Sequence, residues 1–548
     1  MPVVAGRSKI ATRYGIVAAS QPLAARAGVQ ILERGGHAVD AAIAANAVLG
    51  VVEPEMNGVG GDLFAIVSES SGAGLHGLNA GGWAPSGLTP AFLKSKGLTE
   101  MPFGGIHAVT VPGAVAGWTA LHERFGRLPI ADLLAPAIFY AENGFPVSDI
   151  IAARWVQWTD KLSLLDASAA ATYLPNGRAP RSGELFANRD LASVLRRVAS
   201  EGRAGFYEGS TAAAILDCSR ERGGTMTADD LRDFESEWVD PISTTYREWR
   251  VYEIPPNTQG IAALIMLDLM EQFPLREYGF ASAAALHVMI EAKKLAYADM
   301  LRYVADPRYG EVPVGELLDK SAAQSRARLI RPESAAMRVK PSVVDSVATR
   351  YGGDTIYLSA IDREGNIVSL IQSIYQGFGS GIVPSGAGFA LQNRGALFTL
   401  DEQHSNVLAP RKRPLHTIIP AFMQKGDLRI GFGIMGAWNQ AQAHAQFVAN
   451  IVDFGMDIQE ALEAPRFTKS TFDGVDVSVE ALVPESARVE LKRVGHDVTV
   501  VPPRSGVFGS GQAVMSNDAT GVHFGASEPR HDGAAIPEAP PIFGDGGR

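Results

Sequence analysis

The chain has 548 residues, of which 46% are hydrophobic and 20% are charged, and its formal net charge is −10. This composition is that of a globular protein with enough apolar residues for a large core. Acidic and basic residues are mixed along the chain without a basic stripe, so a nucleic-acid-binding protein is not expected.

The single cysteine, Cys218, excludes an internal disulfide. It adjoins an apolar helical pattern at 212–217, where we expect a buried structural thiol. No stretch near the N-terminus resembles a signal peptide, and no segment has the roughly 18 uncharged apolar residues that a membrane span needs. We therefore expect a soluble, cytoplasmic protein that does not contact membranes.

Residues 22–50 predict two helices: Pro22 opens the first, the glycines at 35–36 end it, and Asp40 caps the second. A strand at 62–67 follows the glycine cluster 58–61. Because this cluster completes neither phosphate-binding glycine signature, tight backbone packing is favoured over a nucleotide site.

Further on, the patterns predict a strand at 107–111 and helices at 114–125 and 130–143. Residues 182–330 are mainly helical in pattern, apart from an extended segment at 249–254. Residues 331–351 are polar and aperiodic, and we expect a loop there.

Two β-rich runs, 355–361 and 367–374, are joined by a short turn that contains glycine, which predicts a β-hairpin. The glycine-rich loop 377–381 follows directly. The irregular segment and the hairpin meet at Asp354-Thr355.

Conventional catalytic patterns are absent. Neither Ser380 nor Ser510 lies in a G-x-S-x-G motif, and no H-E-x-x-H or paired C-x-x-C motif supports a zinc site. No metal or organic cofactor is therefore expected. Most of the scattered histidines are assigned to surface or packing positions: His404, His416, His444 and His531.

The remaining candidate is Thr355. A threonine at such a junction can attack the carbonyl carbon of the preceding residue, giving an ester that water then cleaves. The freed α-amine has a reference pKa near 8, so it can act as the base for its own hydroxyl group. A threonine that opens a strand is usually only a strand residue, and the pattern alone leaves both interpretations open.

Ordered sequence matches between about residues 18 and 535 identify a family resemblance. The chain resembles the γ-glutamyltranspeptidases, or glutathione hydrolase proenzymes. The matching stretches are 19–24, 35–42, 52–54, 58–64, 111–113, 116–117, 224–227, 255–256, 354–355, 362, 365–366, 378–381, 413–414 and 464–467.

This resemblance implies a four-layer αββα fold, made as an inactive precursor. Cleavage between Asp354 and Thr355 would give fragments 1–354 and 355–548, which stay associated as one intertwined domain. Thr355 would be the nucleophile, and Ser373 would be the second hydroxyl group that hydrogen-bonds it. The backbone N–H groups of Gly436 and Ala437 would form the oxyanion hole.

The substrate pocket departs from the family pattern. The arginine that holds the α-carboxylate of a γ-glutamyl group aligns with Pro90, and the aspartate that binds its α-amine aligns with 396–397. Tyr375 replaces an asparagine, and residues 416–417 replace paired serines. Loss of the arginine and the aspartate removes most of the charge complementarity to an α-amino acid, which argues against efficient glutathione cleavage.

Arg394, within the sequence LQNRG, stands where the γ-glutamyl enzymes carry an uncharged or acidic residue. A guanidinium there can hold a carboxylate through two hydrogen bonds. This segment, with 369–375, resembles the branch that contains glutaryl-type cephalosporin acylases and oxamate amidohydrolase, whose substrates carry a carboxylate but no α-amine. The alternative is a surface or interface arginine. The predicted substrate-binding residues are Arg394, Tyr375, His416, Thr417 and Asn393.

Together these features predict a self-processing amidohydrolase that cleaves a small amide with a carboxylate on its acyl side, by hydrolysis more than by transfer. Its partners would be this small molecule and the two fragments with each other, and a homo-oligomer is compatible with the sequence. Two alternatives stay open. One is a true γ-glutamyltranspeptidase with a rebuilt pocket, and the other is an unprocessed, non-enzymatic binding protein.

Overall fold

A computed structural model describes residues 6–70, 74–341 and 354–541, which form nineteen strands and twenty α-helices. The strands are β1 (Ile10–Thr12), β2 (Ile16–Ala19), β3 (Asp62–Ser68), β4 (Leu75–Ala80), β5 (Phe145–Pro146), β6 (Leu185–Phe186), β7 (Glu237–Val239), β8 (Ile242–Tyr246), β9 (Trp249–Glu253), β10 (Asp354–Ile361), β11 (Ile367–Tyr375), β12 (Ala421–Lys425), β13 (Leu428–Ile434), β14 (Phe467–Thr468), β15 (Asp476–Glu480), β16 (Asp497–Val501), β17 (Gly511–Asn517), β18 (Val522–Ser527) and β19 (Ala534–Pro537).

The helices are α1 (Pro22–Glu33), α2 (Ala38–Val52), α3 (Pro90–Ser95), α4 (Ala114–Phe125), α5 (Ile130–Asn143), α6 (Asp149–Gln157), α7 (Thr159–Leu165), α8 (Ala167–Tyr173), α9 (Arg189–Glu201), α10 (Ala204–Tyr207), α11 (Gly209–Glu221), α12 (Ala228–Arg232), α13 (Gly260–Met270), α14 (Leu275–Tyr278), α15 (Ala283–Tyr303), α16 (Val314–Leu317), α17 (Lys320–Ala327), α18 (Gln440–Val452), α19 (Ile458–Glu463) and α20 (Glu485–Arg493). None of these helices is long and apolar enough to cross a membrane.

Two antiparallel sheets of seven strands form the centre of the protein. The first has the strand order β1-β18-β17-β13-β12-β9-β8, and the second has the order β19-β2-β10-β11-β3-β4-β7. β10 and β11 of the second sheet pack against β13 and β17 of the first. The side chains between them, including Phe64, Tyr357, Ile371 and Phe422, form a buried apolar core.

Helices cover both sheets. α1 packs on β2, and α2 packs on β10 and β11, whereas α13 packs on β8 and β9 and α18 packs on β13. Every residue of α2 and of α13 is buried. A helix that is apolar on all sides needs neighbours on all sides, so these two helices lie inside the packed layers.

The structure confirms most of the predicted elements. The helices α1, α2, α4 and α5, the strand β3, the hairpin β10–β11 and the extended segment β9 lie where the sequence predicts them. Residues 331–341 are irregular, as expected, and the rest of the predicted loop lies outside the described residues. Cys218 is buried in α11 as predicted, and burial raises the pKa of its thiol to about 11.

Two local predictions need correction. The N-cap of α2 is His37, and Asp40 caps the helix from its third residue, where its carboxylate accepts the N–H of His37 at 2.9 Å as part of a capping box. The segment 107–111 is not a strand, because a 3₁₀ turn occupies Ile106–Ala108 and residues 109–111 form no strand. Residues 108–111 are all buried, so their apolar pattern reflects burial of a loop and not sheet pairing.

Glu53 follows α2 and is completely buried. Ser20 Oγ donates to its Oε2 at 2.8 Å, and burial raises the pKa of this carboxyl from 4.5 to about 8. Between these two pH values the folded protein therefore holds a proton that the unfolded chain has lost. The free energy of unfolding should fall as the pH rises through this window.

We predict that Glu53→Gln removes this contribution to the pH dependence. The variant should lose less thermal stability than the wild type between pH 5 and pH 8.5, measured by circular dichroism. The exposed Glu333→Gln serves as the control and should follow the wild type. Parallel curves for Glu53→Gln and the wild type would show that Glu53 is already ionised at pH 5.

Candidate active site

Thr355 and Ser373 come together at the open end of the β10–β11 hairpin. Asp354 pairs with Tyr375 and Ile356 with Gln372, with a register shift between them at Thr355. Thr355 Oγ1 donates a hydrogen bond to Ser373 Oγ at 3.3 Å, and both side chains are buried. The structure thus brings the predicted nucleophile and the predicted second hydroxyl group into contact.

The hairpin is held from both sides. β10 pairs with β2, and β11 pairs with β3, with Ser373 opposite Asp62. The glycine cluster before β3 packs directly on the site: a β-carbon on Gly60 would lie 2.1 Å from Ala390 O, and one on Gly61 would lie 2.4 Å from Ser373 O. The predicted tight backbone packing is confirmed, since only glycine fits such an approach.

Tyr375 links the hydroxyl pair to Arg394. Its backbone N–H donates to Ser373 Oγ at 2.8 Å, and its ring lies 4.4 Å from the guanidinium carbon of Arg394. Its φ is +78°, a left-handed conformation that is unfavourable for a residue with a side chain. Backbone strain of this kind is concentrated at functional sites.

Arg394 is completely buried, so the alternative of a surface arginine is wrong. Its Nη1 donates to Thr417 Oγ1 at 2.6 Å, whereas Nε and Nη2 have no hydrogen-bond partner among the described residues. Burial lowers the pKa of the guanidinium to about 10, against the opposing effect of nearby Asp62. Arg394 therefore remains a cation at neutral pH with two unused donor nitrogens.

Asp62 and His416 form a buried pair next to Arg394, with His416 Nε2 at 2.9 Å from Asp62 Oδ2. Asp62 Oδ1 accepts from Gly82 N–H and from Gln392 Nε2, each at 2.8 Å. Burial raises the pKa of Asp62 to about 7 and, with the charge of Arg394, holds the pKa of His416 well below 6.5. His416 is thus neutral and points into the protein, and its predicted contact with substrate stays a prediction.

Asn393 holds two backbone segments together. Its Nδ2 donates to Phe103 O at 2.7 Å, and its Oδ1 accepts from Gln376 N–H at 3.1 Å. Asn393 therefore fixes the segment that carries Arg394 against the end of β11. Its contact with substrate also remains a prediction.

The turn 436–437 follows β13. Gly436 has a φ of +131° and Ala437 a φ of +49°. The left-handed conformation costs a residue with a β-carbon roughly 1–2 kcal/mol, so Ala437 adopts it under constraint from its surroundings. Within the described part of the chain, neither N–H group of this turn donates a hydrogen bond, as an oxyanion hole requires.

Gln259 connects this turn to the Arg394 region. Its Nε2 donates to Ala437 O at 2.8 Å and also to the backbone oxygen of Thr417, the residue whose side chain binds Arg394. Sequence reasoning missed both Gln259 and Asp62. Neither lies in a catalytic motif, although Asp62 belongs to the matched stretch 58–64.

Two cavities lie beside Trp438. The first, of about 430 Å³, is lined by Tyr375 and Phe103 and by the mostly apolar segment 396–400. The second, of about 600 Å³, is lined by Gly436 and Ala437. Trp438 lines both cavities.

The other three histidines singled out in the sequence, His404, His444 and His531, are all buried, which agrees with the packing positions that the sequence allowed. His444, for example, accepts from Ile434 N–H and contacts Glu253 Oε1.

One buried group, formed by His287, Glu291 and His496, has three ligand atoms within 4.8 Å of one another. His287 Nδ1 lies at hydrogen-bond distance from His496 Nε2, 2.8 Å away, and Glu291 forms an ion pair with Lys294 at 2.7 Å. These atoms are therefore already engaged with protein partners.

Comparison with known proteins places this geometry in a family. The model of the γ-glutamyltranspeptidase family matches residues 24–538. The glutathione hydrolase-like YwrD proenzyme of Bacillus subtilis is 37% identical, with 97% of this chain and 99% of the relative covered. The oxamate amidohydrolase proenzyme of Klebsiella pneumoniae is 33% identical, with 95% and 98% covered.

Among solved structures, the cephalosporin acylase from Bacillus halodurans superposes with a TM-score of 0.91 at 42% identity, covering 98% of both chains. The likeness therefore extends over the two sheets, the hairpin and the turn at 436–437. The chain belongs to the γ-glutamyltranspeptidase family.

Proposed function

We propose that this protein is a self-processing amidohydrolase that hydrolyses a small amide with a carboxylate on its acyl side. The observation that carries the proposal is the buried, cationic Arg394 with two unused donor nitrogens. It stacks on Tyr375, whose N–H binds the same Ser373 hydroxyl that contacts Thr355. Two relatives are named as proenzymes, one of an oxamate amidohydrolase and one of a glutathione hydrolase-like protein. Their names support both self-processing and amide hydrolysis.

We also infer the fold class of this protein and the division of its chain into two fragments. The two sheets packed face to face, with helices on each, fit a four-layer αββα sandwich of the N-terminal-nucleophile hydrolases. Cleavage before Thr355 divides the chain into fragments 1–354 and 355–548. Both fragments contribute strands to both sheets, so they stay associated.

Processing begins when Thr355 Oγ attacks the carbonyl carbon of Asp354. The Asp354–Thr355 C–N bond breaks as the new C–O bond forms, and the nitrogen takes up the proton of the hydroxyl group. Water then hydrolyses the ester, leaving a carboxylate on Asp354 and a free α-amine on Thr355.

In turnover, the α-amine of Thr355 takes the proton from Oγ, which attacks the carbonyl carbon of the substrate amide. The N–H groups of Gly436 and Ala437 stabilise the oxyanion, and Ser373 orients the nucleophile. The amine half leaves with the proton, and water hydrolyses the acyl-enzyme. Every step uses groups of this chain and water.

The acyl half is selected by charge. Arg394 binds its carboxylate with the unused Nε and Nη2, in the two-point geometry that guanidinium and carboxylate favour. Thr417 and Asn393 hold the arginine and its segment, and His416 pairs with Asp62 next to it. Ala396 and Leu397 line the first cavity where the family's aspartate would bind an α-amine, so an acyl group without that amine fits better.

A second candidate function is γ-glutamyl hydrolysis. Glu100 and Asp401 also line the first cavity and supply carboxylates that an α-amine could use. Rates on glutaryl and γ-glutamyl 4-nitroanilides separate the two functions. Faster release from the γ-glutamyl compound, or efficient transfer of its acyl group to a dipeptide, would contradict our proposal.

We predict that Thr355→Ala yields a single uncleaved chain and lowers amidase activity by about 10⁴-fold or more, because both nucleophile and base are lost. Thr355→Ser is the matched control and should still be cleaved and active. Gel electrophoresis and N-terminal sequencing detect the fragment that begins TIYLS. A wild-type chain that stays a single band after long incubation would favour the non-enzymatic alternative.

Arg394→Met should remove the preference for a carboxylate on the acyl half. Hydrogen bonds to charged groups are worth about 1.5–3 kcal/mol, so kcat/KM for glutaryl 4-nitroanilide should fall about 10- to 150-fold. The rate on pentanoyl 4-nitroanilide, which has the same chain length and no carboxylate, is the control and should change little. An equal loss on both substrates would indicate a structural role for Arg394.

A further inference from the structure

The second cavity carries an unusual charge distribution. Of its fifteen lining residues, three are arginines and none is acidic: Arg154, Arg504 and Arg530. Arg530 is neutralised, because it forms ion pairs with Glu480 at 2.5 Å and with Glu528 at 2.6 Å. The other two arginines determine the charge of the cavity, which we call the arginine pocket.

Arg154 and Arg504 form no ion pair among the described residues, and the contact of Arg154 Nη1 with Met56 Sδ, at 2.8 Å, carries no negative charge. Two carboxyl groups, Glu53 and Asp532, lie near Arg154, and neither forms an ion pair with it among the described residues. Arg504 Nη2 lies 3.0 Å from the position of a β-carbon on Gly6, and Glu463 Oε2 lies 2.8 Å from the same position, so a carboxylate balances part of the positive charge of the pocket.

The two arginines reach the pocket from separate parts of the fold. Arg154 lies on α6, and one of its guanidinium nitrogens lies 3.2 Å from where a β-carbon of Gly506 would be. Arg504 lies two residues before that glycine, with its backbone N–H held by Glu480 at 2.9 Å. Two long, charged side chains are thus gathered at one cavity.

The position of this pocket gives it a role in the reaction. Gly436 and Ala437, whose N–H groups are proposed to hold the oxyanion, line it directly. The carbonyl carbon of an amide carries two substituents, the acyl chain and the amine. If the acyl chain lies in the first cavity beside Tyr375, the amine half must extend in another direction. The arginine pocket offers that direction, because it is lined by the turn 436–437.

We propose that the arginine pocket binds the amine half of the substrate and that this half carries a carboxylate, held by Arg154 and Arg504. This proposal rests on the proposed amidohydrolase function and deepens it. Combined with Arg394 on the acyl side, it defines the substrate class as small amides with a carboxylate on each side of the scissile bond. The volume of about 600 Å³ is large enough to admit an amine of the size of an amino acid or an aminobenzoate.

The test compares two chromogenic amides with the processed enzyme: glutaryl 4-nitroanilide and its 3-carboxy derivative. We expect kcat/KM to be at least about tenfold higher for the carboxylated amide, because charge-assisted hydrogen bonds form only with that leaving group. In Arg154→Gln/Arg504→Gln this preference should disappear while the rate on the plain anilide stays within about twofold.

Two control variants isolate the effect. Arg154→Lys/Arg504→Lys keeps the positive charges and should retain most of the preference. Arg189→Gln removes an exposed arginine outside both cavities and should behave as the wild type. Equal rates on the two amides in the wild type, or a preference that survives in the double glutamine variant, would overturn the proposal.

Binding of the released amines gives a readout that does not depend on turnover. By calorimetry, 5-amino-2-nitrobenzoate should bind the processed enzyme more tightly than 4-nitroaniline, and the double glutamine variant should lose this difference. If neither anilide is hydrolysed, the proposed function is wrong. The calorimetry still shows whether the arginine pocket binds a carboxylated amine. If the double glutamine variant instead loses the preference for glutaryl over pentanoyl amides, the acyl half lies in this cavity and our assignment is wrong.

Discussion

The pairing of β10 with β11, between β2 and β3, is the constraint on which the site depends. Strand pairing sets Asp354 opposite Tyr375, and the register shift beside it brings Thr355 to Ser373. Because both flanking strands are themselves buried, the hairpin cannot slide without exposing a continuous apolar face. The hydroxyl pair and Tyr375 are therefore fixed by the backbone hydrogen bonds of the hairpin, whereas Arg394 lies in a 3₁₀ turn of the irregular segment that Asn393 holds against the end of β11.

Burial of charge is the second organising feature. Arg394 is a cation in an interior where unpaired charge is strongly disfavoured. Nearby Asp62, the ring of Tyr375 and the hydroxyl group of Thr417 offset part of that cost. Under the proposed function, a carboxylate on the substrate would complete the hydrogen bonding of the guanidinium and offset the rest of this cost.

Local patterns predicted the helices α4 and α5 and the hairpin well, because glycine or proline marks both ends of each helix and a turn that contains glycine joins the two β-rich runs. The prediction of a strand at 107–111 was wrong, because a buried loop can have the same apolar composition as a strand. Pattern alone also could not distinguish Thr355 from an ordinary strand residue, and the prediction that it is the nucleophile depends on the family resemblance. The sequence did not identify Asp62 as a site residue, because its partner His416 lies 354 residues away and such contacts exist only in the folded chain.

The interleaving of strands has a consequence for the lifetime of the mature protein. In the second sheet, β2 from the first part of the chain lies between β19 and β10 from the last part. After the proposed cleavage, the two pieces remain threaded through one another, although no covalent bond joins them. Refolding would then require two separate chains to find each other and interleave, whereas the original folding was intramolecular. Durability of the mature form would therefore rest on a slow rate of unfolding and not on reversible equilibrium stability.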